Sequence, residues 1–76
     1  VCKLILKTEN THGVLLRVVS VISRDGHNIH SLYCAPTPDS QISEMEISIE
    51  STPEETTDIQ RRLLRLYDVL SVAVAS

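Results

Sequence analysis

The segment Glu9-Asn10-Thr11-His12-Gly13-Val14-Leu15 joins two different periodicities. Before it, Cys2, Leu4 and Leu6 alternate with Lys3, Ile5 and Lys7, the period-two pattern of a strand with one apolar and one mixed face. After it, Val14, Leu15, Val18, Val19 and Ile22 recur at helical spacing as far as Arg24. Residues 2–8 therefore read as a strand, 9–12 as a turn and 13–24 as a helix. The β-branched content of that helix lowers its intrinsic propensity, so burial of the apolar stripe must compensate. Gly26 is placed to stop it in the left-handed conformation. A second turn, Gly26-His27-Asn28-Ile29, then opens the next strand. Each turn sets an asparagine close to a glycine, a polar setting for a small ligand, and no catalytic motif accompanies either.

Working outward, residues 28–36 read as a second strand ending at Pro36, and Thr37-Pro38-Asp39-Ser40 is rich in turn formers. Residues 41–50 form the clearest strand, with Met45, Ile47 and Ile49 on one face and Glu44, Glu46, Ser48 and Glu50 on the other. Thr52-Pro53-Glu54-Glu55 carries helix-start chemistry: a Thr cap, Pro at the first helical position and a Glu that completes a capping box. This helix is expected to run to about Leu66, with Ile59, Leu63 and Leu66 on its inner stripe. Its acids lie early and its arginines late, as the helix dipole favours. The last strand, about 69–75, is expected to turn Leu70, Val72 and Val74 to one face and Ala73 and Ala75 to the other. The order βαββαβ, with one apolar stripe per helix and right-handed crossovers, predicts an α+β ferredoxin-like sandwich. Both helices cover one face of a four-stranded antiparallel sheet, in a single domain over residues 1–76.

Bulk properties narrow the function. A chain of 76 residues buries only roughly 60% of its unfolded surface, which favours self-association or a larger partner. With no Phe or Trp, the core must be Val, Ile and Leu. A net charge of −3 disfavours nucleic acid, and no apolar run approaches the roughly 20 residues that cross a bilayer. Two cysteines make no disulfide framework, so Cys2 and Cys34 read as small apolar core residues in a reducing, cytoplasmic setting.

The segment TENTHGVLLRVVSVISRDGHNIHSL, the Pro-containing hairpin and the late LLRLYDVLSVAV together resemble the ACT domain family, and within it the small regulatory subunits of acetolactate synthase. The resemblance spans essentially the whole chain. Its ordered set is Asn10, Gly13-Val14-Leu15, Arg24, Gly26, Asn28-Ile29, Leu66 and Asp68-Val69. It implies a non-catalytic regulatory module that binds a branched-chain amino acid such as valine between protomers of a homodimer or higher oligomer. It also implies control of a catalytic large subunit of acetolactate synthase, with no cofactor or metal held by the module itself. Carried over by position, it implicates Asn10, Gly13 and Val14 on one chain and Asn28 and Ile29 on the partner, with Thr11 and His12 as flanking lining. Many members have Pro or Ser where this chain has His12, and longer small subunits carry a further C-terminal domain.

Elementary chemistry supports the same place. Backbone N–H groups near Gly13 open a helix without intrahelical partners and face an approaching anion, so an α-carboxylate fits there. Gly13 leaves room for close approach, and an Asn amide oxygen accepts from an ammonium group. Val14 and Ile29 are expected to line the pocket for an isopropyl-sized side chain. One methylene is worth only about 1–3 kcal/mol, so valine, leucine and isoleucine are not sharply resolved. Each residue also has an ordinary reading: Asn10 and Asn28 as turn formers, Gly13 and Gly26 as backbone punctuation.

Other chemistries fit less well. His30 and Cys34 share a face only in an unbulged strand. They then stand about 13 Å apart, too far for one zinc bound at about 2.0–2.3 Å. Glu44, Glu46 and Glu50 read as a solvated strand face, and Arg61, Arg62 and Arg65 as a solvated helix face. The paired aromatics of an RNA-binding module, a Cys-x-x-Cys copper site and the arginine-bearing phosphate loop of an acylphosphatase are all lacking. The alternative to a sensor is an effector-less interaction module that stabilises or activates a catalytic partner.

Overall fold

Each expected element is present in the computed structural model, which describes residues 1–75. In chain order they are β1 (Cys2–Glu9), α1 (Val14–Arg24), β2 (Ile29–Pro36), β3 (Ile42–Ile49), α2 (Pro53–Leu64) and β4 (Val69–Ala75). The strands form one sheet in the order β2-β3-β1-β4, with every neighbouring pair antiparallel. This is the ferredoxin-like sandwich expected from the alternation of periodicities.

The core follows from strand parity. Leu4 and Leu6 of β1 oppose Ile47 and Met45 of β3, and all four are fully buried. Over them lie Val14, Val18 and Ile22 of α1 and Ile59 and Leu63 of α2. Each such side chain contributes roughly 1.5–3 kcal/mol of burial free energy, and aliphatic residues with Met45 fill the space without an aromatic. The opposite face stays mixed: Lys7 pairs with Glu44, and Ile5 sits between Glu46 and Ala73.

Helix ends are set locally. Thr52 accepts from the Glu55 N–H at 3.2 Å while the Glu55 carboxylate accepts from the Thr52 N–H at 2.9 Å, a complete capping box. That bond from the Thr52 backbone holds the Glu55 carboxyl below its usual range. The α2 helix stops at Leu64, short of the expected Leu66, because Arg65 and Leu66 turn back to the carbonyls of Arg62 and Leu63. Leu66 nevertheless packs against the core. Gly26, at φ 79, follows the last turn of α1 as a left-handed stop.

Four packing expectations are corrected. Leu70 is half exposed and Val69 is buried in its stead, since the β1–β4 register slips between Lys7 and Thr8. That bulge reverses the parity at the start of β4. Val74 falls opposite Leu4 but remains half exposed on this edge strand. Cys34 is exposed rather than a core residue, and Leu15 is 40% exposed. Arg17 and Asp25, on one flank of α1, meet the α2 side of the molecule through Asp68 and Arg62, so Leu15 and Val19 occupy the opposite flank.

Candidate functional site

The β1–α1 loop owes its shape to Gly13. This residue is the N-cap of α1 at φ 84 and offers no side-chain cap, and the first turn of the helix contains no acid. The α2 helix, by contrast, has a capping box and two acids in its first turn. The positive end of α1 is thus left without a compensating anion from its own sequence. The loop's backbone bonds are few: Thr11 N–H donates to Glu9 at 2.8 Å, and Val14 N–H to Thr11 at 3.3 Å.

Side chains supply the rest. Asp68, in the turn between α2 and β4, is 0% exposed, and its Oδ2 accepts from Thr11 Oγ1 at 2.8 Å and Arg17 Nε at 3.0 Å. Arg17 Nη2 closes a second bond to the same oxygen and donates to the His12 carbonyl at 3.1 Å. The guanidinium lies 5.0 Å from the centre of the Tyr67 ring. Burial pushes the Asp68 carboxyl up, but the bonds from Arg17 and Thr11 outweigh it and hold the group below its usual range. The same Asp68 pairing raises the Arg17 guanidinium further above its ordinary value.

The expected site residues fall into two separate groups. Asn10 is exposed and bridges to the β2–β3 hairpin. Its N–H donates to Gln41 at 2.7 Å, its Nδ2 to the Ser40 carbonyl at 3.4 Å, and its Oδ1 accepts from Ser43 at 3.4 Å. Asn10 and Thr11 line an open cleft of about 520 Å³ with Ser40, Gln41, Ile42 and Leu70. The Val14 side chain is buried in the core, leaving its backbone at the loop. Ile29 packs against the same core, while Asn28 is exposed and accepts from Glu50 N–H at 3.1 Å through its carbonyl.

The register measures how far apart these groups lie. Ile29 stands in the row of Ile49 and Cys2, whereas Asn10 follows the row of Glu9 and Ile42 at the other end of the sheet. Seven strand residues separate the rows, about 24 Å at typical rise. Within one chain, therefore, Asn10 to Val14 and Asn28 to Ile29 do not meet. His30 occupies a bulge, where the β2–β3 register slips between Ile29 and Ser31, and its Nε2 lies 3.2 Å from Glu50. The bulge leaves His30 and Cys34 without the common face that a regular strand gives.

Arg17, Tyr67 and the hairpin residues Ser40 to Ile42 had no part in the expected site. Arg17 carried one signal, a charge four residues after Gly13 within an otherwise apolar helix start. Asp68 belonged to the recognised pattern without a role attached, and it is a lone acid between Leu66 and Val69.

Solved structures that share this ferredoxin-like sandwich include an ACT domain. The ACT domain of GTP pyrophosphokinase from Chlorobium tepidum superposes with a TM-score of 0.81 over 97% of this chain and 95% of that one, at 17% identity. The small subunit of acetolactate synthase from Thermotoga maritima gives 0.87 over 96% of this chain and 45% of that one, at 20% identity. Residues 4–71 match the AHAS small subunit-like ACT domain, and the chain belongs to that family. It is 40% identical over 65 residues to the acetolactate synthase isozyme 3 small subunit of Escherichia coli K12, covering 86% of this chain. The chain spans about two fifths of the length of that relative. Membership of a small-subunit family bears out the reading of a regulatory module rather than an enzyme.

Proposed function

We propose that residues 1–76 form a single regulatory domain that binds a branched-chain amino acid of valine type between two copies of the chain. Occupancy then passes to the catalytic large subunit of acetolactate synthase. The observation that carries this reading is the separation of the two asparagine turns by the length of the sheet, with an open edge between them. That edge is β2, where Leu32, Tyr33 and Cys34 are all exposed. An antiparallel pairing of β2 with a second copy sets the Ile29 end of one strand beside the Pro36 end of the other. Pro36 lies in the row of Ser43 and Thr8, next to Asn10. Two-fold association thus brings each Asn10 loop toward the partner copy's second turn, with Leu15 and Val19 on the same flank.

At this junction the uncapped first turn of α1 receives the α-carboxylate, and asparagine amide oxygens receive the ammonium. The ligand favours the paired arrangement because it touches both copies, and this differential affinity is the allosteric coupling. Such a module belongs in the cytoplasm, where unpaired thiols like Cys2 and Cys34 persist. No helix among the described residues is long and apolar enough to cross a membrane.

Calorimetry with L-valine tests the reading. Asn10→Ala and Asn28→Ala are each expected to weaken binding at least tenfold without unfolding the domain; if both bind like the parent, the pocket is misplaced. One observation favours a second reading, an effector-less interaction module: the Asn10 amide already bonds to Ser40 and Ser43 within its own chain. Absence of binding heat for valine, leucine and isoleucine supports that alternative.

A further inference from the structure

Asp68 is the one fully buried charged side chain among the described residues, and it lies outside the loop assigned to the ligand. All three donors to its Oδ2 come from that loop or from the helix turn directly after it. Its backbone carbonyl also accepts from Glu9 N–H at 2.8 Å, where the loop begins. Through Arg17 it reaches one step further, to the His12 carbonyl at 3.1 Å. A single residue of the second half of the chain therefore fastens Glu9, Thr11, His12 and Arg17.

A buried charge is costly unless paired, and here Arg17 and Thr11 supply the pairing. The main chain ties the loop lightly, through Thr11 N–H to Glu9, Val14 N–H to Thr11 and Arg17 N–H to Gly13. Gly13 adds further freedom, being accessible to conformations that other residues avoid. We propose that Asp68 is a positioning residue: with Arg17 it holds Thr11, His12 and Gly13 in the one arrangement that presents the first-turn amides of α1 outward. The ligand part of this inference rests on the regulatory reading above; the loop part does not. Without Asp68 the loop samples other conformations, and a ligand then binds only the fraction that is competent.

The test compares the parent chain with Asp68→Asn, Arg17→Gln and the double variant. Amide hydrogen exchange is followed by NMR without ligand, and L-valine binding by calorimetry. Asp68→Asn is expected to speed exchange at Thr11 to Leu16 at least tenfold, while Leu4, Leu6, Met45 and Ile47 keep their protection. Valine affinity falls at least tenfold. The double variant is less labile in the loop than the two single effects added together, because both changes break the Arg17–Asp68 contact. A merely stabilising pair speeds exchange throughout the sheet, and that result, or an unchanged loop, overturns the proposal. Should Asp68→Asn fail to fold, Arg17→Gln, whose side chain is 33% exposed, carries the same comparison. A parent that binds no valine, yet shows the loop-confined exchange in Asp68→Asn, refutes the regulatory reading and leaves the positioning role standing.

Discussion

Two glycines adopt almost the same left-handed conformation in different surroundings, and alanine at each separates two energies. Gly13 has φ 84 and Gly26 has φ 79. Placing an L side chain in that region costs about 1–2 kcal/mol relative to glycine at either site. A Cβ at Gly26 meets nothing within 4 Å, so Gly26→Ala exposes the conformational cost alone. A Cβ at Gly13 lies 3.2 Å from Arg17 Nη1. That guanidinium is not free to swing away, since Asp68 and the His12 carbonyl hold its other nitrogens. We expect Gly26→Ala to lose about 1 kcal/mol and Gly13→Ala about 2 kcal/mol or more, the excess reflecting displacement of Arg17. For a domain of this size each kcal/mol lowers Tm by about 4–8 °C. Urea unfolding with unchanged m-values is the assay. In an Arg17→Ala background the two glycine substitutions should converge. Equal losses in the parent background, or a persistent gap without Arg17, refute the claim that the loop is pinned from Asp68.

Other outcomes are expected from the same structure. Ile47→Ala, which empties a fully buried position, should cost about 2–5 kcal/mol in urea unfolding, a large part of the stability of any small domain. Thr52→Ala removes the side-chain half of the α2 capping box, leaving the backbone N–H bond to Glu55, and should cost about 1 kcal/mol. The folded Asp68 carboxyl titrates below its ordinary 3.8, so its stabilisation is complete above that value and is lost as pH falls through the lower folded pKa. Urea midpoints measured from pH 6 down to pH 2 should therefore drop less steeply for Asp68→Asn than for the parent. Leu32→Glu places a charge on the open β2 edge and, on the proposed pairing of two copies through that edge, should shift sedimentation toward monomer.

The order of elements was legible because each boundary carries its own chemistry. Gly13 ends one periodicity and begins another, and Thr52 to Glu55 announce α2 before any packing is considered. Parity along β1 and β3 located Leu4, Leu6, Met45 and Ile47 in the core, since a regular strand preserves alternation. Leu70 was misread because it is the extra residue of a bulge: Lys7 pairs with Ser71 and Thr8 with Val69, so Leu70 has no partner on β1 and the alternation along β4 breaks there. Cys34 was misread because its burial depends on how far α1 reaches over the edge strand, a tertiary property. The start of α1 at Gly13 was readable from residue types. Its fastening was not, because Arg17 and Asp68 stand 51 residues apart and their contact exists only after the two halves have packed.

The most direct measurement is a titration of L-valine into the isotope-labelled chain, with amide shifts mapped by NMR and the oligomeric state read on the same sample. A dimer whose shifts concentrate at Asn10 to Leu16 and at Asn28 to Ile29 is the expected result, since one ligand touches both ends of the sheet only across two copies. A monomer, or a dimer whose shifts skip either turn, contradicts it.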